Sequence, residues 1–180
     1  MPEKLLQYLE KVFREATCSD ELFDSLEIAL RNKIKNKDLY KIFLSNHVLS
    51  KDELMMFTEK ICEEFEEFRF DLYYWTASLF QLHDKDLSLI DNAFYYYQKA
   101  FLSNPENNKP LLSALTLYNY DFDIPTNTYI LQLLNTGIDK VKYKSTVYNE
   151  LARHFIYIGN EELGKTYRKL AEEKSREENQ

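Results

Sequence analysis

The sequence predicts an all-α protein, and three observations carry this prediction. Glycine and proline are scarce, with three glycines and four prolines in 180 residues, whereas sandwiches and barrels need turn residues about every ten positions. Apolar residues recur at intervals of three and four, which is helical spacing, and alternating runs are lacking. A chain of this length buries enough surface for one helical core without a metal or disulfide. We therefore expect antiparallel helical hairpins.

The first 68 residues are expected to form pairs of helices. An apolar stripe predicts a helix over 3–17, a second helix follows, and Asp38 is placed to cap a short third one. Ser50 and Glu53 have the form of a capping box, in which each residue satisfies a backbone N–H of the other. The helix that they open continues to residue 72, either unbroken or with a break near Phe68–Arg69.

The second half of the chain contains a repeat-like motif. Residues 92–107 read NAFYYYQKAFLSNPEN, in which Ala93, Tyr97, Ala100 and Pro105 have the spacing A-x3-Y-x2-A-x4-P. Small residues and an aromatic residue recur where helices must approach closely. This spacing resembles the second helix and terminal proline of a tetratricopeptide (TPR) repeat. In the run of three tyrosines, at least one ring is expected to lie off the buried face.

The segments on either side of this motif extend the resemblance to residues 69–176, which we divide into about three units. The helix expected over 69–83 precedes the motif, the weaker unit 108–138 follows it, and 145–174 is the third unit with Gly159 in its turn and Gly164 at a small position. Thr126 and Ser145 are expected to cap helices in the last two units. Residues 1–68 are helical pairs without the motif, and 177–180 form a charged tail. The resemblance implies a TPR-like solenoid of stacked hairpins, and the alternative is a plain helical bundle.

The resemblance also implies a function. In TPR-like stacks the first helix of each unit lines a concave groove, so we expect a protein–protein interaction module, adaptor or chaperone-like, that binds a peptide or helix and uses no catalytic residue or cofactor. Asn149 and Arg153 are suited to hold peptide backbone or a carboxylate, although the family's carboxylate clamp of several Lys and Asn is not matched. The residues expected on the groove are Tyr74, Ser78, Gln81, Leu112, Thr116, Asn119, Asn149, Arg153 and Tyr157.

Composition argues against several other classes. Thirty acidic residues against 23 basic ones give a net charge of −7, which disfavours nucleic acid because that affinity rests on neutralising phosphates. Binding to an anionic membrane surface is disfavoured for the same reason, and no apolar stretch approaches the ~20 residues of a membrane span. Cys18 and Cys62, with no CxxC motif, predict free thiols in a reducing compartment. A cytoplasmic protein that binds neither nucleic acid nor membrane is expected.

The sequence leaves several alternative functions open. Gly159–Thr166 satisfies GxxxxGK[ST], but a phosphate-binding loop follows a strand, and here a helix is expected before it. The His83–Asp86 loop, or Cys62 as a nucleophile, would make the chain a small helical enzyme or ligand-binding protein. A third alternative is a regulator built as a helical bundle without TPR repeats. The acidic run Glu63–Glu67 is either a solvated face or a docking face for a basic partner.

Overall fold

The fold consists of helices throughout the part of the chain that is described. The structure, a computed structural model, describes residues 2–82 and 89–180. Within these ranges there are ten α-helices, one short 3₁₀ segment and no strand, so the all-α prediction is confirmed. In chain order, α1 to α10 span Pro2–Glu15, Ser19–Arg31, Lys37–Leu44, Lys51–Glu64, Arg69–Gln81, Ile90–Ser103, Lys109–Leu115, Pro125–Gly137, Lys144–Tyr157 and Glu161–Glu178.

The helices group into two compact units, Met1–Leu79 and Phe80–Gln180, which we call unit 1 and unit 2. In unit 1, α1 packs against α2 and α3, and α3 packs against α4. In unit 2, α6 packs against α7 and α8, α7 against α8 and α9, and α9 against α10. Contacts between consecutive helices and contacts between alternate helices thus occur in both units.

The capping box at the start of α4 is present as predicted. The Glu53 carboxylate accepts a hydrogen bond from the Ser50 backbone N–H at 2.8 Å, and the Glu53 N–H donates to the Ser50 hydroxyl at 3.3 Å. The Ser50 hydroxyl also donates to the Glu53 carboxylate, at 2.6 Å. This bond first, and then the one from the Ser50 N–H, hold the pKa of Glu53 below its usual value because they favour the charged form. The box therefore fixes the start of α4 by local chemistry alone.

Three other caps were predicted at the wrong residue. Asp38, Thr126 and Ser145 each lie inside the first turn of their helix rather than before it. The cap of α3 is Asn36, whose side chain accepts from the N–H groups of Asp38 and Leu39, both at 3.1 Å. Helices α8 and α9 have Ile124 and Tyr143 at the cap position and no side-chain cap hydrogen bond, so a polar residue near the helix start does not by itself identify the cap.

The acidic run lies at a break between helices. Helix α4 ends at Glu64, Phe65 leaves helical geometry, and a 3₁₀ segment, Glu66–Phe68, leads into α5. The chain bends here because the Phe65 ring is buried against the ring of Tyr40, with centroids 5.5 Å apart. The break therefore comes slightly earlier than the expected Phe68–Arg69 position.

Internal ion pairs occupy part of that acidic run. Glu64 pairs with Lys33, and the Glu67 carboxylate lies 2.7 Å from the ammonium of Lys35. The Lys35 hydrogen bond is the main cause that lowers the pKa of Glu67. These lysines come from the connection between α2 and α3, so the carboxylates bind a segment of their own chain. Such exposed pairs contribute little to stability, but they favour the solvated-face interpretation over a docking face.

Small residues lie at the close contacts of unit 2. Ala93 and Ala100 on α6 are completely buried, as the motif predicts, and so are the rings of Tyr96 and Tyr97. Tyr95, the remaining tyrosine of the run, is 44% exposed, which confirms that the three rings do not share one buried face. The pattern of small and large residues along α6 thus matches its packing.

The end of the chain is more ordered than expected. Helix α10 continues to Glu178, so half of the predicted charged tail, 177–180, is helical. The Glu178 carboxylate accepts a hydrogen bond from the backbone N–H of Ser145 at 3.0 Å and also bonds the hydroxyl of that residue. This contact joins the end of α10 to the start of α9 and explains why the helix extends into the predicted tail.

Candidate binding cavity of unit 2

Unit 2 contains a cavity of about 560 Å³ between α7, the segment after it, and α9. This volume lies within the range of ordinary ligand sites, roughly 300–1,000 Å³. Helix α7 and the residue after it supply two leucines and a threonine, and α9 supplies an ion pair and two aromatic rings. Its lining residues are Leu112, Leu115, Thr116, Tyr120, Glu150, Arg153, His154 and Tyr157.

A buried asparagine builds the wall that carries Tyr120. The Asn127 side chain accepts from the Asn119 N–H at 2.8 Å and donates to the backbone carbonyls of Asn119 and Phe122 at 2.8 and 3.2 Å. The Asn119 side chain accepts in turn from the N–H groups of Asp121 and Phe122. The segment after α7 is therefore a hydrogen-bonded turn that holds Tyr120 in place.

Aromatic rings meet at this wall. The Tyr120 ring lies edge-on to Tyr157, with centroids 4.6 Å apart, and 5.6 Å from the ring of His154. Tyr118 lies edge-on to His154 at 4.4 Å. These separations are those of favourable aromatic pairs. Tyr157 nevertheless remains 73% exposed and Tyr120 48% exposed, so both rings present surface to a ligand.

His154 is the buried polar group of the cavity. It is only 3% exposed, and its Nδ1 lies 3.0 Å from the Tyr120 hydroxyl. Its Nε2 is buried and has no hydrogen-bond partner among the residues that the structure describes. Burial lowers the pKa of His154, since charge is disfavoured away from water. The imidazole is therefore neutral at pH 7.

An ion pair stands at the cavity's edge. The Arg153 guanidinium donates to the Glu150 carboxylate at 2.9 Å, and the two residues are one turn apart on α9. The Arg153 side chain is 74% exposed. The two charges cancel each other, so the cavity lining carries no net charge at neutral pH.

Five of the nine predicted groove residues line or support the cavity. Four of them, Leu112, Thr116, Arg153 and Tyr157, line the cavity. Gln81 supports it, because its side-chain nitrogen donates to the Thr116 hydroxyl at 2.8 Å while its oxygen accepts from the Tyr97 hydroxyl at 2.5 Å.

The other groove residues have different positions. Asn119 shapes the turn, and Asn149 is exposed on α9 but is not among the lining residues. Tyr74 and Ser78 belong to unit 1, where the Ser78 hydroxyl donates to the carbonyl of Tyr74 at 2.9 Å. The structure thus brings four of the nine predicted residues to one cavity.

Sequence reasoning missed Leu115, Tyr120, Glu150 and His154. A signal existed for the last two, because Glu150 and His154 stand four residues apart on α9, beside Arg153 and Tyr157, which have the same spacing. For Tyr120 there was none, since it reaches the cavity through a turn that Asn127 organises from the next helix.

The phosphate-loop pattern has a structural explanation in every part. Gly159 forms the turn after α9 with φ +84°, which glycine adopts without strain. Asn160 caps α10 by accepting from the Leu163 N–H at 3.1 Å, and the Lys165 ammonium lies 3.3 Å from the Glu161 carboxylate. The Thr166 hydroxyl donates to the Glu162 carbonyl at 3.0 Å. A helix, not a strand, precedes this segment.

The other chemical alternatives gain no support. Cys62 is buried, whereas reactive cysteines lie in partially exposed, electropositive surroundings. The His83–Asp86 loop lies outside the described residues. Across residues 2–82 and 89–180, no cluster of three or more His, Cys, Asp or Glu side chains is arranged to hold a metal ion.

No family model matches the chain, and neither a curated protein nor a solved structure matches it. Among the described helices, none has the length and apolar character needed to cross a membrane.

The buried imidazole predicts a pH dependence of stability. The pKa of His154 is lowered in the folded chain, whereas in the unfolded chain it is about 6.5. Below that pH the unfolded state binds more protons, so stability falls as the pH drops from 7 towards 5. We expect chemical denaturation to show a shallower loss for His154→Gln over this interval. Equal slopes for the two proteins would contradict a buried neutral imidazole.

Proposed function

We propose that the protein is a protein–protein interaction module, adaptor or chaperone-like, which binds a peptide or helix of a partner in the unit 2 cavity and carries out no chemistry of its own. One observation carries the proposal: Leu112, Thr116, Arg153 and Tyr157, expected on a binding groove from the repeat pattern alone, line one cavity of about 560 Å³. The segments that supply them, α7 with its following residue and α9, are the first helices of two predicted units.

Helix contacts within unit 2 support a TPR-like arrangement. Helices α7 and α9, the first helices of successive units, touch each other, and so do α6 and α8, the second helices. Alternate helices meet in this way when hairpins stack side by side. The cavity then lies on the face formed by first helices, where a TPR-like stack has its concave surface.

Exposed aromatic side chains around the cavity support binding of a protein segment. Tyr157 is 73% exposed and Tyr120 48%, and the same turn leaves Phe122 62% exposed. Tyrosine and arginine are the residue types that most often dominate binding energy at protein interfaces. Arg153, with its largely exposed guanidinium, adds a group that forms charge-assisted hydrogen bonds.

The proposal includes a cytoplasmic location and a partner that is neither nucleic acid nor membrane. Cys18 is exposed and Cys62 is buried, and the two do not form a disulfide, which suits a reducing compartment. The acidic balance, −7 overall, disfavours nucleic acid and anionic lipid as the binding partner.

The test is selection of peptides from a random display library on the full chain, followed by affinity measurement for the selected sequences. We expect Tyr157→Ala and Arg153→Ala each to weaken binding by about tenfold or more, the effect of losing a central interface residue. Both side chains are exposed, so the melting temperature should stay within a few degrees of the unmodified chain.

The matched control is Asn149→Ala, which removes an exposed polar side chain from the same helix outside the cavity. We expect it to leave peptide affinity unchanged. Failure to select any peptide, or equal losses for Asn149→Ala and Tyr157→Ala, would contradict binding at this cavity.

A further inference from the structure

His154 lines the cavity, yet one of its two nitrogens has no partner. Only 3% of the residue's surface is exposed, and Nε2 makes no hydrogen bond with any described residue. Leaving a buried polar atom unsatisfied costs roughly 1–3 kcal/mol, and native structures contain few such atoms. Because the His154 residue lines the cavity, a ligand that enters the cavity lies beside this ring and can supply the missing bond.

The other nitrogen fixes how the ring is held. Nδ1 pairs with the Tyr120 hydroxyl at 3.0 Å, and Tyr120 stands on the turn that Asn127 builds. Burial, and next the neighbouring tyrosines Tyr118 and Tyr157, raise the pKa of Tyr120, so the phenol keeps its proton. A neutral imidazole has one N–H and one lone pair. Nε2 therefore takes whichever role Nδ1 leaves, donor or acceptor.

The charge of the lining limits the class of ligand. Glu150 and Arg153 neutralise each other, and the remaining lining residues are apolar, aromatic or hydroxylic. The Thr116 hydroxyl is already engaged, since it donates to the Ser113 carbonyl at 2.7 Å and accepts from Gln81. A full charge on the ligand would have no free counter-charge here, and its desolvation would be costly.

We propose that the bound segment inserts a neutral side chain whose apolar body contacts Leu112 and Leu115 and whose terminal hydroxyl or carboxamide group hydrogen-bonds to Nε2 of His154. This inference rests on the proposed binding function and specifies its partner. A hydroxyl or carboxamide fits because each both donates and accepts. Nε2 is closed to solvent, so the incoming group reaches it only when a side chain packed around the imidazole, such as the Tyr118 ring, rotates aside. Side-chain and loop motions are fast enough for this on the time scale of a binding measurement.

The test uses four small probes that share one ring and differ in their polar group: benzamide, benzoate, benzylammonium and toluene. Each is titrated into the full chain at pH 7.5, and amide chemical shifts of residues 112–120 and 150–157 are followed by NMR. For molecules of this size we expect dissociation constants of about a millimolar or weaker. Benzamide should bind roughly two- to tenfold more tightly than toluene, the effect of one net hydrogen bond, and both charged probes should bind more weakly than benzamide.

Two variants separate the hydrogen bond from the shape of the cavity. In His154→Asn the side chain ends near the Nδ1 position and lacks Nε2, so we expect benzamide to lose its advantage over toluene. In His154→Gln the amide reaches the Nε2 position, and the advantage should persist. Toluene binding should change little in either variant.

Three results would overturn the inference: equal affinity for benzamide and toluene, tightest binding of benzoate or benzylammonium, or an unchanged benzamide preference in His154→Asn. None of these depends on peptide selection. If peptides bind and Tyr157→Ala weakens them while benzamide shows no preference, the binding function stands and the assigned side-chain chemistry is wrong.

Discussion

Gly164→Ala should destabilise the protein by about 1–3 kcal/mol, the usual range for overpacking, although alanine favours helices over glycine by ~1 kcal/mol. The reason is contact with α9: a Cβ built on Gly164 lies 2.5 Å from Cγ1 of Ile156 and 3.2 Å from the backbone oxygen of Ala152. The helices must separate or Ile156 must shift. Denaturant titration followed by circular dichroism measures the difference.

Ile156→Ala supplies the control for this prediction. Ile156 is 40% exposed, so its truncation alone should cost less than a fully buried position would. The Ile156→Ala variant lacks the atom that lies 2.5 Å from the added Cβ. In this variant, Gly164→Ala should leave the free energy of unfolding nearly unchanged or raise it slightly. A cycle in which Gly164→Ala has the same effect in both backgrounds would show that α9 and α10 are not packed as described.

Ala100→Leu is the second substitution with a large expected effect, again about 1–3 kcal/mol of lost stability. Ala100 is completely buried on α6 and occupies the small position of the TPR-like motif. A leucine there has no room without moving a neighbouring helix. The melting temperature, monitored at 222 nm, should fall by several degrees.

Ser103→Leu is the matched control for Ala100→Leu, because it adds a leucine to the exposed face of the same helix. It should change the melting temperature little. An unchanged melting temperature for Ala100→Leu, or equal losses for the two variants, would place α6 in a different register.

Features set by neighbouring residues were predictable. The capping box at Ser50 and Glu53, the end of α6 before Pro105 and the turn at Gly159 follow from local backbone chemistry, and the structure has all three. The buried small residue Ala100 was predictable as well, because the motif that contains it records helix packing. The helical fold itself follows from these signals and the apolar spacing.

Features set by distant residues were not predictable. In the unit 108–138 the apolar spacing predicts a first helix over about 110–120, but α7 ends at Leu115. The chain beyond it is held in a turn, since Asn127 binds the backbone of Asn119. The break at Phe65 depends on the Tyr40 ring from another helix. Helical periodicity contains no information on either contact, so the observed ends of these helices differ from the predicted ones.

The residues of the candidate site also divide into those that local sequence predicts and those that depend on distant contacts. Arg153 and Tyr157 were predicted because a repeat pattern assigns one face of α9. The pair formed by His154 and Tyr120 joins residues 34 positions apart, and it requires the turn after α7 to be known first. The polar atom that defines the ligand chemistry, Nε2 of His154, is therefore a product of tertiary structure.

Binding of a protein segment in the unit 2 cavity can be tested by a chemical-shift map of the isotopically labelled full chain with a peptide selected on it. We expect the largest shifts at Leu112, Tyr120 and Tyr157, which line the cavity, and a smaller shift at Asn149. Largest shifts on the acidic run Glu63–Glu67, or anywhere in unit 1, with the cavity residues unchanged, would contradict it.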